Sequence, residues 1–222
     1  MTTLTTGPVP ALLKRLFADS DASDAKMREW FKNVSPEERT KRMSDPNSDY
    51  RGFYNRMNEL YLAVSEDTAR LLYMLGRATK ATAIVEFGTS FGISTIHLAA
   101  ALKDNGGGRL IGSDLEPGKV ARAKANLAEA GLLELCDIRE GDALQTLSHD
   151  LPETIDLVLM DGHKPLYSKI LTMLEPRLRV GTMLVADNVE AAPEYLARVR
   201  DPQGTYTSVP FSDEVEVTVK TK

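Results

Sequence analysis

The run Ile155-Asp156-Leu157-Val158-Leu159-Met160-Asp161 constrains this 222-residue chain more than any other stretch. Side chains on a strand alternate between faces, so apolar residues at successive positions require both faces to be buried. That is the mark of a central parallel strand, which needs helices packed on each side of its sheet. The flanking sequence supplies the alternation. Ile84-Val85-Glu86-Phe87, Arg109–Asp114 and a segment through Ile138 to Gly141-Asp142 read as earlier strands, and 182–187 as a later one. Helical patterns at 93–102, 119–130, 166–174 and 193–199 fall between and after them, with Gly131 as the stop signal of the second. Segments 206–211 and 215–219 read as a closing antiparallel pair. In the last of these, Val215, Val217 and Val219 are expected on the buried face and Glu216 and Thr218 outside. The expected fold is therefore α/β: a doubly wound, Rossmann-like sheet of about seven strands with a C-terminal antiparallel pair.

Residues 1–50 differ in pattern. Segments 10–17 and 25–32 place Leu12, Leu13, Leu16 and Phe17, then Met27, Trp30 and Phe31, at helical spacing. Ser35-Pro36-Glu37-Glu38 is a helix start, and Asp45-Pro46-Asn47-Ser48-Asp49 has the turn chemistry of a linker. The chain thus divides into an N-terminal helical extension, 1–50, and a main domain, 51–222, which opens with a helix at 66–78 capped by Ser65.

Composition narrows the partners. Lys plus Arg total 27 against 32 Asp plus Glu, a formal charge of −5, which argues against a life on nucleic-acid phosphates and for a small-molecule partner. No apolar run approaches the roughly 20 residues of a membrane span. Cys136 is the one cysteine, so a disulfide scaffold is excluded; with no signal-like pattern at Met1 to Pro8, a cytoplasmic location is expected.

The candidate chemistry sits at strand ends. Glu86-x-Gly88-x-x-x-Gly92-x-Ser94 spans a strand-to-helix turn, where glycines admit a ligand close to the backbone and free N–H groups face it. Ser90 replaces the second glycine of the dinucleotide pattern, and Glu86 suits a cationic or hydroxyl-bearing ligand better than a pyrophosphate. A tight β–α turn without ligand is the plain alternative. Asp114 ends the second strand where nucleotide folds place an acid for ribose hydroxyls, and Asp142 ends the third. Asp161 and Asp187-Asn188 end the fourth and fifth. Two carboxylates and an amide oxygen suit magnesium or calcium, with Lys164 beside them as a base; simple helix capping is the alternative. His97 reads as packing or surface, Trp30 and Phe31 as core or dimer contact, and Lys119, Arg122 and Lys124 as solvated helix charges. Tyr50, Phe53, Tyr54 and Tyr61 read as packing before acceptor lining.

The ordered set Glu86–Thr95, Asp114, Gly141-Asp142-Ala143-Leu144, Asp161-Gly162-His163-Lys164-Pro165-Leu166-Tyr167 and Ala186-Asp187-Asn188-Val189 resembles the cation-dependent O-methyltransferases, a group that includes catechol and caffeoyl-CoA O-methyltransferases. The resemblance covers the chain from about Leu62 onward. It implies S-adenosylmethionine as cofactor, with Val64, Glu86, Gly88, Ser90 and Ser94 around the methionine part, Asp114 on the ribose, Asp142 and Ala143 by the adenine, and Asp161 also lining the pocket. It implies Mg2+ or another divalent cation on Asp161, Asp187 and Asn188, with Lys164 as catalytic base. It also implies a small aromatic, catechol-like acceptor and a homodimer, with the N-terminal helices as cap or dimer contact. His163 departs from the family pattern and is expected at the solvent or substrate rim. The segment after Asn188 lacks the tryptophan-and-glycine insertion of relatives. A methyltransferase for hydroxylated tRNA bases and a cofactor-binding protein without turnover are the competing readings.

Overall fold

The computed structural model describes the whole chain except residue 33 and residues 46–48; the side chains of residues 24, 26, 28, 30, 31, 36, 39 and 42 are also outside the description. The expectations for Trp30, Phe31 and the middle of the linker lie outside the described residues.

Seven strands, β1 (Ala83–Phe87), β2 (Arg109–Asp114), β3 (Cys136–Glu140), β4 (Ile155–Met160), β5 (Leu178–Ala186), β6 (Tyr206–Pro210) and β7 (Glu216–Lys220), form one sheet in the order β3-β2-β1-β4-β5-β7-β6. The first five are parallel, and β7 runs antiparallel to both β5 and β6. Period-two alternation sorts the strand residues into two cores. Ile84, Leu110, Ile138, Leu157, Leu159 and Val185 face one side, whereas Val85, Phe87, Ile111, Val158, Met160 and Leu184 face the other.

The first face is covered by α4 (Glu66–Ala78), α5 (Ile93–Asp104) and α6 (Pro117–Glu129), with α1 (Val9–Phe31) packed over α5 and α6. The stretch Ile93 to Leu102 of α5 is buried on every side, as expected of a helix apolar around its whole circumference. Ser65 caps α4 by accepting from the Thr68 amide at 3.1 Å. The second face carries α8 (Tyr167–Leu174) and α9 (Pro193–Val199), with the short α7 (Ala143–Thr146) beside them. Asp156 is the polar exception inside β4. Its carboxylate accepts from the amides of Thr82 and Ala83 at 2.8 and 3.1 Å and from Arg179 at 2.8 Å, tying the bottom of β1 to β5.

Three differences from the sequence reading concern the periphery. The two expected N-terminal helices are one, α1, because Ser23 inside it accepts from the Tyr61 amide at 3.1 Å and Asp19 from the Tyr61 hydroxyl at 3.3 Å. These side chains serve tertiary contacts instead of breaking the helix. A further helix, α3 (Tyr50–Arg56), follows α2 (Pro36–Met43). Third, Val215, just before β7, is buried as expected, but within β7 the expected faces are reversed. Glu216 and Thr218 are fully buried, while Val217 and Val219 are half-buried. Arg200 neutralises Glu216 through two hydrogen bonds of 2.7 and 2.6 Å, and Ser208 adds a third, which makes the inward carboxylate tolerable. Among the described residues, no helix is long and apolar enough to cross a membrane.

Candidate active site

The strand order reverses direction of travel between β1 and β4, and an open parallel sheet binds ligands at such a switch point, beyond the carboxyl ends of its strands. A solvent-open cavity lies there, lined by Gly88, Ser90, Asp114, Asp142, Ala143 and Asp161 among others. A second, smaller space adjoins it and is lined by Val64, Ser90, Ser94 and Asp161.

The turn after β1 has little freedom. Gly88 has φ +101°, and a Cβ there would lie 2.4 Å from the Asp161 carbonyl oxygen, so only glycine lets the β1 and β4 ends meet. The Asp161 amide in turn donates to the Phe87 carbonyl at 2.7 Å. Ser90 adopts φ +46°, a left-handed conformation that costs a non-glycine residue free energy. Its amide donates to Asp114 at 2.7 Å and its hydroxyl donates to the Tyr61 carbonyl. Asp114 also accepts from the Glu116 amide at 3.0 Å, so the acid is fixed with its carboxylate facing the cavity.

Glu86 lies beneath the turn and lines neither space, and Lys164, Asp187 and Asn188 likewise line neither. The wholly buried Glu86 carboxyl accepts from the hydroxyls of Ser94 at 2.7 Å, Thr95 at 2.6 Å and Thr89 at 3.1 Å. Burial, opposed by these three donors, pushes its pKa up to about 7. Glu86 therefore acts on the cavity through Ser94.

Beyond Asp161 the site becomes strongly acidic. Asp161 accepts from Lys164 Nζ at 3.1 Å, with both side chains almost wholly buried. Asp187 is raised to about 8, first by burial and then by repulsion from Asp161, with Glu214 and Glu190 adding to it. Burial alone would lower Lys164, but Tyr167, Asp161, Tyr54 and Asp187 outweigh it and hold the ammonium protonated well above its ordinary range. Tyr167, fully buried, donates to the Asp187 carbonyl at 2.8 Å and carries Lys164 over its ring. Asn188 follows in a left-handed conformation, φ 45°. Among the described residues, no group of three or more His, Cys, Asp or Glu is placed to hold a metal ion. Asp161 and Asp187 are close enough to repel one another, and their oxygens are hard donors of the kind a divalent cation takes.

Several side chains here escaped the sequence reading. Tyr50 and Tyr54, expected as packing, line the larger cavity from α3, and their i, i+4 spacing was the available signal. His163 is not at a solvent rim. It is 8% exposed, stacks on Tyr50 at 4.6 Å between ring centroids, and meets the edge of Tyr54 at 6.1 Å. Burial and the Lys164 charge push its pKa down to about 4, so it is neutral. Asp142, besides capping α7 through the Leu144 amide, accepts from Tyr50 at 3.0 Å and Arg51 at 2.7 Å. Lys119, expected in solvent, is buried in the cavity wall because Ser90, Asp114 and Asp161 surround it, whereas Arg122 and Lys124 are exposed as expected. His97 packs: its Nδ1 bonds the Ile93 carbonyl at 2.9 Å and its ring meets Phe17.

This architecture is shared with solved methyltransferases. The O-methyltransferase TomG from Streptomyces achromogenes, solved in complex with SAM, superposes with a TM-score of 0.65 at 24% identity over 92% of this chain and 99% of that one. The O-methyltransferase from Bacillus cereus, solved with SAH, gives 0.65 at 20% identity over 89% and 97%. The fold is thus the Rossmann-like methyltransferase fold. A family model described as a methyltransferase domain matches residues 85–189. The chain is 36% identical over 131 residues to a catechol O-methyltransferase of Niastella koreensis and 31% identical over 140 residues to one of Mycobacterium tuberculosis. These matches cover 58% and 63% of this chain and the same shares of the relatives' own lengths. Residues 85–189 thus match a methyltransferase domain, and the chain is similar to O-methyltransferases over 58% to 63% of its length.

Proposed function

We propose that this protein transfers a methyl group from S-adenosylmethionine to a hydroxyl of a small, catechol-like aromatic acceptor, with a divalent cation, magnesium, as helper. The observation that carries the proposal is the meeting of two sites at Asp161. Its backbone closes on Gly88 at the wall of the larger cavity, and its carboxylate faces Lys164 and Asp187. The names of the curated relatives support the acceptor class, and the SAM and SAH of the solved neighbours support the cofactor.

S-adenosylmethionine supplies an electrophilic methyl group on a sulfonium. Asp114 would accept from the ribose hydroxyls. Ala143 and the Asp142 backbone would border the adenine, and Gly88, Ser90, Ser94 and Val64 would surround the methionine end, with Glu86 holding Ser94 in place. Asp161, Asp187 and Asn188 would hold the magnesium ion, which would supply positive charge beside the acceptor hydroxyl and lower its pKa. Lys164 Nζ can receive the acceptor's proton only as the neutral amine, so its ammonium, held by the ion pair with Asp161, must first release a proton to solvent. Tyr54 and His163 exclude water above the reacting groups, and their rings offer an aromatic acceptor a flat contact.

In the same reading, residues 1–50 are a helical extension serving as cap or dimer contact to the methyltransferase domain of 51–222, and the protein is a cytoplasmic homodimer. Burial pushes the Cys136 thiol up to about 12, which favours the neutral thiol over the thiolate. The test is mass-spectrometric detection of methylated catechol after incubation with S-adenosylmethionine. Product that forms with magnesium and disappears with a chelator is expected. Equal turnover in the chelator would remove the metal, and no product with a panel of catechols would remove the acceptor class.

A further inference from the structure

Lys119 is a charged side chain that the proposed reaction leaves unused. It stands in the first turn of α6, where a lysine ordinarily reaches into water, yet it is 3% exposed. Its ammonium lies in the wall of the larger cavity beside Ser90, Asp114 and Glu116, which are themselves lining residues. An ammonium has three donors and no acceptor. Among the described residues Nζ makes one hydrogen bond, to the Ser90 hydroxyl oxygen at 3.3 Å, and stands 5.6 Å from the centroid of the Phe91 ring. Burial lowers the pKa of Lys119, while Asp114 and Asp161 pull the other way without forming a direct hydrogen bond.

The remaining N–H groups face a cavity that a ligand can enter, and acceptors on such a ligand can take the place of water there. Asp114 presents the complementary need: its oxygens accept from the amides of Ser90 and Glu116 and retain lone pairs for incoming donors. A vicinal diol satisfies both, since each hydroxyl carries a proton and free lone pairs. Lys119 does not line the smaller space around Val64 and Ser94, where the amino-acid end of the cofactor is placed. Its neighbours on the turn after β2, Asp114 and Glu116, are the ribose side.

We propose that Lys119 and Asp114 form a diol-binding pair, in which the Asp114 carboxylate takes the cofactor's ribose hydroxyl protons and Lys119 Nζ donates to the hydroxyl oxygens. The assignment rests on the cavity being the S-adenosylmethionine site. It makes Lys119 a cofactor-binding residue with a ligand group of its own.

The test is calorimetric titration of the full-length protein and of Lys119→Met with three probes: S-adenosylhomocysteine, its analogue lacking the carboxylate, and its 2′,3′-dideoxy analogue. The substitution is expected to weaken the first two by the same factor, about tenfold or more for a charge-assisted hydrogen bond, and to leave the dideoxy analogue unchanged. A loss confined to the carboxylate-bearing probes would move the ammonium to the amino-acid end and overturn the pair. No loss with any probe would make Lys119 structural. Lys119→Gln serves the same comparison if the methionine variant does not fold. Failure of the wild type to bind S-adenosylhomocysteine at all would remove the cofactor reading itself, a separate outcome.

Discussion

Replacing Glu86 by Gln should change how the stability of this protein depends on pH. The carboxyl is wholly buried among the hydroxyls of Thr89, Ser94 and Thr95, and its pKa rises from an ordinary 4.5 to about 7. The folded state therefore holds this proton more tightly than the unfolded chain does. Below about pH 4.5 both states are protonated and Glu86 contributes no pH dependence. Between 4.5 and 7 the unfolded state releases the proton first, so stability falls as pH rises; above 7 the full penalty is in place. At about 1.4 kcal/mol for each tenfold change in proton affinity, the interval amounts to about 3 kcal/mol. Glutamine is nearly isosteric and does not titrate, so other groups largely cancel between wild type and Glu86→Gln. Urea unfolding followed by circular dichroism at a series of pH values measures the difference. The variant should gain about 3 kcal/mol on wild type between pH 4.5 and 8, whatever constant offset the amide introduces. A difference that stays flat, or one that runs the other way, would refute the burial argument.

Three further outcomes follow from the geometry. Gly88→Ala should destabilise the fold by about 2–4 kcal/mol and abolish S-adenosylhomocysteine binding, because the new Cβ meets the Asp161 carbonyl in a backbone region that disfavours it; urea titration and calorimetry read the two effects. Asp187→Asn should remove magnesium-linked catechol binding while keeping cofactor affinity within about twofold, and it relieves a buried like-charge repulsion, so thermal melts should not fall. Lys164→Met should lower kcat by about 10²-fold or more with little change in cofactor affinity, as removal of a general base does, and an unchanged kcat in steady-state kinetics would exclude that role.

The sheet and its site acids were legible because their signals are local. Apolar runs marked the strands of the parallel core other than β3, which only Ile138 signalled, and Asp114, Asp161 and Asp187 were found as acids closing such runs. Ser65 announced α4 by its capping chemistry alone. What could not be read depended on partners distant in sequence. The inward face of Glu216 requires Arg200, and the continuity of α1 through Asp19, Ser20 and Ser23 requires Tyr61. Burial of Lys119 requires Ser90 and Asp114 on two other turns. Charge type alone placed Lys119 with Arg122 and Lys124; only the third dimension separates them. His163 likewise became a buried, neutral ring because Tyr50 stacks on it from α3, an element the aromatic spacing hinted at without fixing where it packs.

The central claim is a cofactor cavity and an acidic, lysine-bearing acceptor site that share Asp161. Calorimetric titration with S-adenosylhomocysteine, with and without magnesium and a simple catechol, tests it most directly. The account predicts tight binding of S-adenosylhomocysteine alone, and catechol binding to that complex only when magnesium is present. Absence of S-adenosylhomocysteine binding, or catechol binding indifferent to magnesium, would contradict it.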